Sequence, residues 1–131
     1  MMQGHARTLA VAVFLLATTS CYSLFGVEND FTAVERLHVG MPRAACLEAL
    51  ARGGSVDVDP DLSIEVVAER QAKLRDPKAL ATLTRIEAET GRRAVLVVVV
   101  HRHWGFAGYG VVHLFLDEQD ALLGWHHFHV N

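Results

Sequence analysis

The chain opens with a short uncharged apolar run, Leu9 to Ala17, and then shifts to a mixed pattern in which apolar and charged positions alternate. Spacing of two to four residues marks Leu47 and Leu50 as one face of a helix. Pro42 sits at its first turn and Gly53-Gly54 at its end. A weaker helical pattern covers residues 62–75 through Ile64, Val67, Ala68 and Leu74. Asp76-Pro77 then predicts a fresh helix, with Asp76 as N-cap, a stripe of Leu80, Leu83 and Ile86, and Gly91 as the stop. Residues 55–61 read as an acidic loop or a very short edge strand, and the alternating Asp57, Asp59 and Asp61 as its solvated face.

Beyond residue 94 the period changes. Val95–Val100 is an unbroken β-branched-rich run, the pattern of a strand that is central or covered on both sides. Residues 105–108 predict a loop, Tyr109–Asp117 a second strand, Glu118-Gln119 a turn, and Ala121–Val130 a third strand. Helices first and strands after predict an α+β fold, with N-terminal helices packed on one face of a C-terminal three-stranded antiparallel β-meander.

Length and composition narrow the function classes. With 131 residues, 51% apolar and 21% charged, the chain suits one globular domain. A net charge of −3 lacks the basic footprint of a nucleic-acid binder, and two cysteines do not make a disulfide framework. Residues 1–20 read as a signal peptide: Arg7 supplies a weak positive end, and the apolar run is shorter than the ~20 residues that span a bilayer. Small residues Ala17-Thr18-Thr19-Ser20 lead directly to Cys21. This resembles the lipobox of bacterial lipoproteins, although Thr18 stands where an aliphatic residue is usual.

That resemblance implies acylation of Cys21 by diacylglycerol and an N-acyl chain such as palmitate, a multi-chain anchor. Tyr22 after the cysteine implies sorting to the outer membrane, facing the periplasm. The organisation expected is a signal peptide over 1–20, lipidated Cys21 and a tether over 21–30, and a small domain over 31–131. Cys46, among Ala and Leu on a helix, is expected to be buried.

Two further stretches resemble one family. Leu37-His38-Val39-Gly40-Met41-Pro42 leads into a short helix, and His113 to Leu123 with Trp125 beyond forms a closing hairpin. Both resemble the SmpA/OmlA/BamE-like domains, small lipoproteins with two helices on a three-stranded sheet. The resemblance implies an accessory of outer-membrane assembly or envelope integrity that binds a protein partner and catalyses nothing. Residues 62–90 add a helical segment to that pattern.

Candidate chemistry concentrates in the histidines, six of whose eight lie at or beyond His101. If Trp104 pairs with Tyr109 and Asp117 with Asp120, then His103, Gly110 and His127 form one cross-strand row. His101 lies in the next row, and His129 falls beyond on the same face. Such imidazoles are either a solvated or partner-facing surface or ligands for zinc or copper, which would make the chain a periplasmic metal-binding module. No other cofactor is expected. Trp104, Phe106 and Tyr109 gather at the predicted hairpin tip as candidate partner contacts. No G-x-S-x-G, H-E-x-x-H or phosphate-binding loop occurs, so no enzyme activity is expected.

Overall fold

A computed structural model describes residues 26–59, 62–64, 66–105 and 108–130. The elements in order are α1 (Asp30–Val34), α2 (Arg43–Ala51), β1 (Ser55–Val58), β2 (Leu62–Ser63), α3 (Val67–Lys73), α4 (Pro77–Thr90), β3 (Leu96–Trp104), β4 (Gly108–Leu116) and β5 (Leu122–Val130). None of these helices is long and apolar enough to cross a membrane.

The expected three-stranded meander with helices on one face is not the architecture. The strands β3, β4 and β5 do pair in antiparallel succession, but the sheet continues past β3. Two short strands lying between the helices in sequence, β1 and β2, both pair antiparallel with the free edge of β3. Nor do the helices share one face. Val98, Val100, Val112, Leu114 and Leu116 pack with α1 and α2 through Ala33, Cys46 and Leu50. On the opposite face, Val97, Val99, Val111 and Phe115 pack with α4 through Ala79, Leu83 and Ile86. Side chains on a strand alternate between faces, so the continuous valine run of β3 feeds both layers. The result is a helix–sheet–helix sandwich.

Local rules explain most of the helix ends. Asn29 caps α1 by accepting from the Thr32 N–H at 2.8 Å. Asp76 caps α4, accepting from the Lys78 N–H at 2.9 Å, and Gly91 ends it with φ +65°. Glu87, badly placed for the helix dipole, is held instead by Arg70 of α3, a buried side chain that pairs with both carboxylate oxygens. The same guanidinium group donates to the carbonyls of Ile64 (2.9 Å) and Ala94 (2.8 Å), tying α3 to the entry of β3.

Both hairpins depart from the expected register. Trp104 pairs with Gly108, and Tyr109 faces His103, a shift of one residue. Asp117 bonds Ala121 across a three-residue turn, with Asp120 in the left-handed region at φ 62°. Asp117 Oδ1 holds that turn by accepting from the N–H groups of Gln119 (2.9 Å) and Ala121 (3.0 Å). A bulge at Phe115/Leu116 adds a second step, so Gly110 opposes His129 and Val112 opposes His127.

At the hairpin end, Arg102 of β3 is fully buried and gathers three carbonyls: Leu50 (2.6 Å), Glu28 (2.6 Å) and Arg52 (2.8 Å). Arg102→Leu would leave all three unpaired. Each charge-assisted bond lost costs about 1.5–3 kcal/mol, so the unfolding free energy is expected to fall by at least that amount, seen as a lower urea midpoint at unchanged slope. A variant as stable as the wild type would contradict this role.

Candidate functional site

The register sends the histidines to two sides of the sheet. His127 and His129 of β5 lie on the α1 side, and both contact Asp30. His101 and His103 lie on the α4 side, where they meet the alternating acids of β1 and its extension. The four therefore form no common cluster. Among the described residues, no group of three His, Cys, Asp or Glu side chains is placed to hold a metal ion.

The Asp30 cluster is compact and internally satisfied. The carboxylate is fully buried and accepts from Trp104 Nε1 at 2.8 Å, His127 Nε2 at 2.5 Å and His129 Nδ1 at 3.0 Å. An ionised carboxylate only accepts, so the proton sits on Nε2 of His127 and on Nδ1 of His129. Burial pushes the Asp30 pKa up, but hydrogen bonds from His127 and Trp104, its own backbone and His129 outweigh burial and hold it below the usual value. Gly110 makes the room, since a Cβ there would stand 2.5 Å from Asp30 Oδ2. Phe31 covers the outside, edge-on to His127 at 5.1 Å, and remains 54% exposed.

The opposite face carries a cleft of about 780 Å³. Its origin is a mismatch of lengths. Nine-residue strands run about 30 Å, whereas the fourteen residues of α4 run about 21 Å. Ile86 packs on Gly124 and Thr82 Oγ1 meets His126 Nδ1 at 3.2 Å, so α4 covers the end of the sheet near the 117–121 turn. Towards the β3–β4 hairpin the sheet is roofed only at its margin, by the α3–α4 connection around Leu74 and Arg75. Val99 and Val111, both buried, form the floor of the cleft, and Phe128 and Val130 line it further out.

Polar groups are few and specific there. Asp59 Oδ2 bonds His101 Nε2 at 2.7 Å, and His101 Nδ1 bonds the Tyr109 hydroxyl. With Asp59 as acceptor, Nε2 carries the proton, and a neutral ring takes the tyrosine O–H at Nδ1. His113 lines the same cleft, is only 7% exposed, and its Nδ1 has no partner. Burial, with the neighbouring His126 second, lowers its pKa to about 4. Burial likewise lowers that of His126, against the pull of Asp76.

Of the other residues singled out from the sequence, Trp104 and Tyr109 do not form one aromatic tip: Trp104 serves Asp30 on one face and Tyr109 the cleft on the other. Phe106 and Cys21 lie outside the described residues. Cys46 is buried as expected, which raises its thiol pKa. Asp30, Asp59, Arg102 and His113 were not singled out as site residues. The alternation of acids against alternating histidines was visible for Asp59, but nothing local marked Asp30.

No protein-family model, curated protein or solved structure matches this chain.

His113 has a consequence for stability. Its folded pKa near 4 lies below the unfolded value of 6.5, so the unfolded chain binds the extra proton between those limits. Stability is therefore complete above about pH 6.5 and declines as pH falls towards 4, by up to about 3 kcal/mol at 1.36 kcal/mol per pH unit. Urea titrations at pH 7, 5.5 and 4.5 are expected to show this decline, and His113→Leu to flatten it. An equal slope in both proteins would refute the assignment.

Proposed function

We propose that this chain is a lipid-anchored protein of the bacterial outer membrane, facing the periplasm, that serves as a binding and scaffolding accessory for an envelope partner. The reading rests on the signal-like residues 1–20 ending at Cys21, together with the place where the chain enters the fold. Gly26 and Val27 line one hollow with Trp104 and Gly105, at the β3–β4 hairpin end of the sheet. The Glu28 N–H then bonds the Gly53 carbonyl at 2.7 Å.

Residues 22–25 alone separate Cys21 from Gly26, a reach of at most about 18 Å. Acylation would therefore keep the hairpin end beside the headgroups, with exposed Phe31 in the interfacial zone that aromatic rings favour. The 117–121 turn would face the periplasm. A partner embedded in the same membrane would meet the hairpin end first.

Mass spectrometry of the membrane-extracted protein is expected to find diacylglyceryl and acyl mass on Cys21, and Cys21→Ser to move the protein to the soluble periplasmic fraction. Unmodified Cys21 in the wild type would refute the anchor. A photocrosslinking residue at Phe31 is expected to capture a membrane partner more strongly than one at Glu118; the reverse preference would refute the orientation.

A further inference from the structure

We infer that the cleft beside α4 is a binding site for a small monoanionic amphiphile, an apolar body carrying one carboxylate-like head. Nothing in this inference requires the lipid anchor. Three observations point to a ligand. The volume of about 780 Å³ falls within the range of small-molecule sites, and its lining is mainly aliphatic and aromatic, with a few convergent polar groups. His113 Nδ1, buried and unpaired, is a hydrogen-bonding atom with an unmet requirement on the wall of that space. At the rim, Arg75 is exposed and, among the described residues, has neither hydrogen bond nor ion pair.

The other charges around the cleft are already engaged. Asp59 holds His101, and Asp76 caps α4. Lys73 donates to the Ser63 carbonyl at 2.9 Å and pairs with Glu69 at 2.9 Å. Arg75 is therefore the cation left for a ligand. With Asp59 and Asp76 on the same walls, a dianion such as a phosphate monoester would meet repulsion that a single negative charge avoids. An apolar body would lie against Phe128 and Val130, with the buried side chains of Val99 and Val111 forming the floor at the edge of the α4 packing. The end of α3 and the α3–α4 connection, Ala72 to Asp76, form the margin of the roof.

Isothermal titration of the protein as isolated, in nanodiscs if it carries lipid, would compare decanoate, decanol and decyl phosphate against empty nanodiscs. Decanoate is expected to bind saturably at one site, more tightly than decanol or decyl phosphate. Arg75→Glu, an exposed change, is expected to weaken decanoate by about fivefold or more while leaving decanol unchanged. Ala72→Trp, which fills the mouth from an exposed helix position, is expected to abolish binding of all three. Absence of saturable decanoate binding would overturn the site. Equal binding of decanoate and decanol, or tighter binding of decyl phosphate, would overturn the ligand class, and indifference to Ala72→Trp the location.

Discussion

One buried guanidinium group organises the α1–α2 side of the molecule. Arg102 stands on a covered sheet face, near its hairpin end, where an aliphatic residue would be expected, yet every donor direction described meets a backbone carbonyl. Those carbonyls come from the lead-in to α1 and from the end of α2, segments that make no sheet ladder of their own. Without the arginine they would lose their partners while remaining covered by protein, a costly state for backbone polar groups. Gly54 completes the arrangement, because a Cβ there would sit 2.7 Å from the His103 carbonyl and 3.0 Å from the guanidinium carbon. The negative charge of Asp30 favours the charged form of Arg102 against the penalty of burial.

The other face repeats the device. Arg70 gathers the Ile64 and Ala94 carbonyls and takes Glu87 as its counter-charge. Each helical layer is thus pinned to the sheet by one arginine that satisfies chain ends entering or leaving the core. Apolar packing supplies the bulk of the cohesion, and the two arginines fix how the irregular segments lie upon it.

Much of this was legible in the sequence, up to the point where register matters. Asp76-Pro77 and Gly91 bound α4 as their chemistry requires, and the run Val95–Val100 carried the mark of a strand that is central or covered on both sides, and β3 is both. The second of those alternatives, unlike the first, was incompatible with a one-faced helical layer. The positions of the histidines could not be read. A left-handed residue at Asp120 and a bulge at Phe115/Leu116 moved β5 by two places, and a one-place shift at the other hairpin put His103 opposite Tyr109. Asp30 and His127 lie 97 residues apart, so their contact has no local signature. The cleft was invisible for a similar reason: it arises from the difference in length between a helix and the strands beneath it.

The described chain enters the fold beside Trp104 and leaves it at Val130, opposite Tyr109, so both points lie at one end of the sheet. β5 is the outermost strand of the sheet, and among the described residues only its first, Leu122, is bonded on the outer side, to Gly40 and Met41. Tension applied between these two points would load the β4–β5 ladder at its last rung and peel it sequentially, instead of shearing all its bonds together. A pull on the carboxyl-terminal end would therefore open the sandwich at low force and release His127 and His129 from Asp30 before the paired core of β3 and β4 gave way.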